Sequence, residues 1–217
     1  MQQLFLDFPK LEEEARPLIE TGAYAPVLST LRNWKGWPEL QLALIGEPQS
    51  GKTRLLRCWA AEPGGAYLRA DQLAHADAAE IADLSLKALA IDDADEVGSG
   101  QNLLAAINLC HARKAPILLA GTVPPSTWYD DPPDLLSRTR AMPTVVIDGP
   151  DEDVLRQRLE DACARRHLNV PEDSLRFLVE HMDFRWDAIE QVANAIEQTR
   201  GRAFTVRSAR KALDSLQ

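Results

Sequence analysis

The eight residues Gly46-Glu-Pro-Gln-Ser-Gly-Lys-Thr53 constrain what this chain can fold into more than any others. They complete the pattern G-x-x-x-x-G-K-[ST], a loop whose backbone N–H groups cradle phosphate. Gly46, Glu47, Pro48, Gln49, Ser50 and Gly51 form the cradle, Lys52 reaches the β/γ-phosphates, and the Thr53 hydroxyl can hold Mg2+. Such a loop works between a strand and a helix, and its flanks meet that need. Residues 40–45 are a short apolar run, and residues 53–60 have helical spacing, which places the loop at a helix N-terminus where anions are favoured.

The rest of the chain alternates in the same way. Strands are expected at 65–69, 86–93, 116–121 and 144–147, and helices at 24–34, 72–84 and 101–113. Strand–helix alternation specifies a mostly parallel sheet covered by helices on both sides. From Asp151 the pattern is helical only, with helices expected at 151–166, 173–181, 186–200 and 206–216. The expected organisation is an α/β domain over 11–150 and a small all-helical lid over 151–217, divided near Gly149-Pro150. The first ten residues stand apart. They are strongly apolar, with Leu4, Phe5, Leu6 and Phe8, and end at Pro9 before an acidic segment. Such a terminus either packs as a strand or is offered to a partner.

Composition excludes several function classes. No apolar run approaches the ~20 residues that span a bilayer, and the N-terminus lacks the features of a secretory signal, so no membrane partner and a cytoplasmic location are expected. The three cysteines are widely spaced with no C-x-x-C, which argues against a disulfide scaffold or a zinc site. The net charge of −9 argues against strong direct binding to duplex DNA, which needs a concentrated basic face.

A phosphate loop of this type acts with a second carboxylate at the end of another strand, holding Mg2+ through water. Asp92, after Leu89-Ala-Ile91, meets that need, and Asp93 is placed to orient an attacking water. Two solvated carboxylates at a strand end would look the same in sequence. Thr122, just past the strand at 116–121, either reaches the γ-phosphate or its water, or simply caps a turn. Arg138 and Arg140 follow a proline-rich loop. An arginine there can insert into a neighbouring subunit's nucleotide site, or be an ordinary surface residue.

Together these residues resemble the AAA+ ATPases, and more narrowly the DnaA initiator family with its short Hda-type homologues. The resemblance covers nearly the whole chain: Trp34, Trp37-Pro38, Gly46–Thr53, Asp92-Asp93, Gly121-Thr-Val-Pro-Pro125, Asp134-Leu-Leu-Ser-Arg138 and Arg202-Ala-Phe-Thr-Val206. It implies a P-loop NTPase fold that binds ATP or ADP with Mg2+. Asp93 falls at the catalytic carboxylate position, and Arg138 becomes an arginine finger presented in trans. It also implies that Gln3-Leu-Phe-Leu-Asp-Phe8 is a peptide ligand of the DNA polymerase sliding clamp, with Gln3, Leu4, Leu6 and Phe8 as its contacts. The initiator's DNA-reading helix-turn-helix domain is not expected here. The implied function is regulation of chromosomal replication initiation by stimulating ATP hydrolysis on the full-length DnaA initiator. An autonomous ATPase such as a helicase loader, and a clamp-bound adaptor that sequesters the initiator without hydrolysis, remain open. A homo-oligomer is also compatible with an exposed apolar terminus.

Two departures from the family bear on the chemistry. The family commonly has an acidic residue where Thr122 falls and an arginine where Val123 stands. Its lid arginine aligns with Asp187, and Arg185 lies two residues away. Either Arg185 takes over the nucleotide contact or the contact is lost, with weaker nucleotide binding and slow intrinsic hydrolysis.

Overall fold

The computed structural model describes residues 18–82, 84, 86–199 and 204–216. Gln3, Leu4, Leu6 and Phe8 lie outside the described residues. The chain divides into two compact units, one containing Pro26–Ile147 and the other Asp148–Gln217 with Ile19–Ala25.

A helix α1 (Ala25–Arg32) leads through short 3-10 turns into the first unit's sheet. The sheet has five strands: β1 (Gln41–Ile45), β2 (Ala66–Arg69), β3 (Leu89–Asp92), β4 (Ile117–Gly121) and β5 (Thr144–Val146). Their spatial order is β2-β3-β4-β1-β5, and every neighbouring pair is parallel. Every residue of β1, β3 and β4 is buried, which is why these strands read as continuous apolar runs rather than alternating ones. The chain leaves β1 for β2 at one edge, returns through β3 and β4, then passes to β5 on the other side of β1. That reversal beside β1 is the place where parallel α/β sheets bind ligands, outside the carboxyl ends of the strands.

The helices of this unit are α2 (Lys52–Ala61), α3 (Ala70–His75), α4 (Ala78–Ala82), α5 (Gly100–Arg113) and α6 (Pro133–Ala141). The single helix expected over 72–84 is two, broken at Ala76, whose backbone is extended. The cause is a capping box. Asp77 Oδ1 accepts from the Glu80 N–H at 2.8 Å, and Glu80 Oε2 accepts from the Asp77 N–H at 2.9 Å. The strand expected over 86–93 is shorter, at Leu89–Asp92. Helix α6 was not anticipated; Pro133 occupies its first turn, where a missing N–H costs nothing.

The second unit contains α7 (Glu152–Arg165), α8 (Glu172–His181), α9 (Trp186–Glu197) and α10 (Val206–Asp214). Asp151 caps α7 by accepting from Val154 N–H at 2.9 Å. The segment Ile19–Ala25 adds Tyr24, whose ring lies 5.5 Å from that of buried Trp186. Gly22 has φ +55, and the Asp151 carboxylate occupies the space a Cβ would need there. Cys110 and Cys163 serve as apolar residues: burial pushes the Cys110 thiol up to about 12 and the Cys163 thiol to about 11. Among the described residues no helix is long and apolar enough to cross a membrane.

Helix α2 is anchored at its rear by an aromatic stack. Trp59 lies 5.3 Å from Trp37 with the rings nearly parallel, and Trp37 donates to the Thr30 carbonyl at 2.9 Å. Trp59→Ala should lower unfolding free energy by about 3–5 kcal/mol. Trp59→Phe keeps a ring on Trp37 and deletes a buried indole N–H with no partner among the described residues, so its loss should be clearly smaller. Urea denaturation of the two variants checks this, and equal losses would contradict the stacking account.

Candidate functional site

Gly46 follows β1 directly, and its N–H donates to the Gly121 carbonyl at 3.2 Å, tying the loop to the end of β4. The loop reverses through Gln49 (φ +65) and Gly51 (φ +91), both left-handed. Gly46 is packed so closely that a Cβ would fall 2.6 Å from Ser50 Oγ. Within this ring the Lys52 side chain is only 7% exposed. Its Nζ donates to the carbonyls of Gly46 at 2.8 Å and Glu47 at 3.1 Å. Gly51 provides no side-chain cap for α2, so the positive end of the helix dipole faces the loop without a capping side chain, where an anion is favoured. The exposed Thr53 hydroxyl sits in that same turn.

Asp92 and Asp93 stand at the end of β3, two strands from the loop. Asp92 is 2% exposed. Its Oδ2 accepts from the Tyr67 hydroxyl at 2.9 Å, while Oδ1 has no hydrogen-bond partner among the described residues. A buried orphaned carboxylate oxygen is costly, and a hard cation with its water shell is the natural complement. The described residues contain no cluster of three or more His, Cys, Asp or Glu side chains able to hold a metal. A cation here would therefore draw further ligands from Thr53, water and phosphate, which suits Mg2+. Burial and the charges on Asp92, Glu96 and Asp95 hold the Asp93 carboxyl above the usual range, against the opposing pull of Lys52. Its backbone is left-handed at φ +53, a conformation aspartate tolerates better than most residues.

Thr122 follows β4 directly. Its N–H and its hydroxyl both donate to Asp95 Oδ2, each at 2.7 Å. The hydroxyl proton is therefore committed. Thr122 Oγ1 keeps lone pairs that can accept from a water, but in this arrangement it does not donate to a phosphate oxygen.

No protein-family profile and no curated protein matches the chain. Solved structures do. Domain III of the Thermotoga maritima replication initiation protein DnaA aligns at 19% identity and TM-score 0.68, over 94% of this chain and 95% of that one. A DNA replication initiation factor aligns at 19% identity and TM-score 0.65 over 85% of this chain, which spans 63% of that protein's chain. The FIGL-1 AAA domain in complex with ADP aligns at 17% identity and TM-score 0.62, over 97% and 83% of the two chains. The chain has the AAA+ P-loop NTPase fold.

Within this AAA+ fold the phosphate loop, Asp92, Asp93 and Thr122 all lie at the carboxyl ends of the adjacent strands β1, β3 and β4, and so share one end of the sheet. Arg138 lies in the last turn of α6, half-buried, and makes no ion pair with a described residue. Arg185 belongs to the second unit, at the N-cap of α9 with its side chain 64% exposed. Its guanidinium forms a two-pronged pair with Asp187, Nε to Oδ1 at 3.0 Å and Nη2 to Oδ2 at 2.6 Å. Asp187 also accepts from Gln191 at 3.1 Å. Arg185 thus carries its own counter-charge.

Two residues of the candidate site escaped sequence reading. Asp95 fixes Thr122, and Tyr67 binds Asp92. Both pairings join positions 25 or more residues apart and have no local signature.

The raised carboxyl of Asp93 has a stability consequence of definite sign. A folded-state pKa above the ordinary value favours the protonated native form. This contribution is full below the ordinary carboxylate range and is lost as pH rises through the folded pKa. Asp93→Asn should therefore raise the urea midpoint at neutral pH, with a gain that shrinks as pH falls towards that range. A variant less stable than wild type at neutral pH would refute the assignment.

Proposed function

We propose that this chain is a nucleotide-binding regulator of chromosomal replication initiation. It binds ATP or ADP with Mg2+ and attaches to the sliding clamp through Gln3, Leu4, Leu6 and Phe8. There it presents Arg138 to ATP held by a full-length initiator of the DnaA type. The observation that carries the regulatory part is Arg138 itself: a half-buried guanidinium on a helix of the phosphate-loop unit, uncommitted among the described residues. The fold shared with initiator structures supports the choice of partner.

Nucleotide binding rests on the loop. Lys52 exchanges its bonds to Gly46 and Glu47 carbonyls for phosphate oxygens, while the uncapped N–H groups of α2 take the rest of the charge. Thr53 and Asp92 would hold Mg2+, and the ion, when bound, neutralises charge on the phosphates. Asp93 orients water as a carboxylate made more basic by burial. Thr122, its proton given to Asp95, accepts a hydrogen from that water. Arg185, neutralised by Asp187, adds little attraction for nucleotide, so the chain's own hydrolysis is slow. On this reading the chain's own nucleotide mainly props the interface, and the β–γ bond that breaks lies in the partner.

The test is phosphate release from ATP preloaded on the initiator, with clamp loaded on DNA. Wild type should accelerate release. Arg138→Ala should lose that acceleration by a factor of about 10³ or more, as for other arginine fingers, and a Gln3/Leu6/Phe8→Ala variant should lose it through failure to bind the clamp. No acceleration by wild type, despite detectable clamp binding, would replace this reading with a clamp-bound adaptor that sequesters the initiator without hydrolysis, and full acceleration by Arg138→Ala would remove the finger role. Fast turnover by the isolated chain that is lost in Asp93→Asn would favour an autonomous ATPase.

A further inference from the structure

Asp92 does not stand alone at the end of β3. In the parallel register of β2 and β3, Arg69 pairs with Asp92 and Tyr67 with Ala90. Alternation along each strand puts Tyr67 and Asp92 on the same face as diagonal neighbours. The phenol spans that diagonal and donates to Asp92 Oδ2 at 2.9 Å, in a contact buried from solvent on both sides. Tyr67 is itself held from the other direction. The Arg57 guanidinium, one helical turn beyond Thr53 on α2, lies 4.9 Å from the centre of its ring. A side chain of the phosphate-loop helix thus braces a ring on the edge strand, and that ring braces the carboxylate.

We propose that Tyr67 is the positioning residue for the cation-binding carboxylate: by occupying Oδ2 it fixes the Asp92 rotamer and leaves Oδ1 as the one acceptor offered to Mg2+. This rests on the reading of Asp92 as a ligand of the Mg2+–nucleotide complex. A tyrosine that merely satisfied a buried oxygen would contribute to stability but not to cation affinity. A positioning tyrosine contributes to both, because a carboxylate released from its partner must be reordered each time the ion binds. Outer partners of metal ligands characteristically matter at this level, by 10- to 100-fold in affinity.

The experiment is binding of a fluorescent ADP analogue to the intact chain, titrated with Mg2+ and repeated in EDTA. In Tyr67→Phe, which keeps the ring beneath Arg57, the Mg2+ concentration for half-maximal enhancement should rise about 10-fold. Affinity in EDTA should stay within twofold of wild type. The second arm is Asp92→Asn, alone and combined with Tyr67→Phe. Asp92→Asn should shift the Mg2+ midpoint by itself, and the added Tyr67→Phe should then change nothing. A normal midpoint in Tyr67→Phe, with a shifted one in Asp92→Asn, would overturn the positioning role and leave Asp92 as a ligand. A normal midpoint in Asp92→Asn, or nucleotide binding indifferent to Mg2+ in wild type, would overturn both. Equal losses in Mg2+ and EDTA for Tyr67→Phe would also overturn the proposal, since they would mark general damage to the loop.

Discussion

A buried ammonium must be compensated, and the way Lys52 is compensated shapes the whole carboxyl end of the sheet. An isolated charge in the interior would cost many kcal/mol, so its donors need acceptors close by. Gly46 and Glu47 supply them by turning their carbonyls onto Nζ. That turn is possible only because the chain reverses through left-handed residues at Gln49 and Gly51, and because Gly46 has no Cβ to strike Ser50. The same reversal starts α2 without a capping side chain. One short loop therefore holds a satisfied cation beside a helix N-terminus that favours an anion. When phosphate arrives, neutral carbonyl acceptors are exchanged for charged ones, which form stronger bonds with the ammonium.

The acids beyond β3 face the opposite difficulty. Asp92, Asp93, Asp95 and Glu96 crowd a single strand end, where the charges of the other three add to burial in raising the Asp93 carboxyl. The fold gives the three aspartates different surroundings. Asp92 is pinned by a phenol, and Asp95 receives two donors from Thr122. Asp93 is left with a raised pKa and a left-handed backbone, the nearby positive charge of Lys52 opposing the rise. Groups driven apart in this way are suited to different tasks. On the proposed reading, Asp93 with its raised carboxyl would suit water, and the tightly held Asp92 a cation.

What could be read from the sequence follows from the range of the interaction. β1, β3 and β4 were legible because strands buried on both faces must be apolar throughout, and the phosphate loop because its function fixes residue types at contiguous positions. The break between α3 and α4 was legible in principle, since Asp77 and Glu80 have capping-box spacing, but the helical run across 72–84 masked it. Helix α6 was hidden by the prolines that in fact start it. The packing of Ile19–Ala25 with the second unit, and the Tyr67–Asp92 and Asp95–Thr122 contacts, depend on tertiary placement. No local rule encodes those partners.

Arg138 shows how a charge can be held without being spent. Arg156, Arg165, Arg166, Arg176 and Arg185 are each paired with carboxylates. Arg138 is placed by its helix instead. It occupies the last turn of α6, where the aligned peptide dipoles favour a cation by about 0.3–1 kcal/mol. One turn earlier, Leu135 is fully buried in the core and fixes the helix's rotation. A carboxylate partner would stabilise the guanidinium more, but an incoming phosphate would have to displace it, as it would have to displace Asp187 from Arg185. Helix dipole and packing thus hold Arg138 at the helix end without pairing its guanidinium to a carboxylate among the described residues. In the proposed role of completing a neighbour's site, that combination would be worth more than a stronger bond at home.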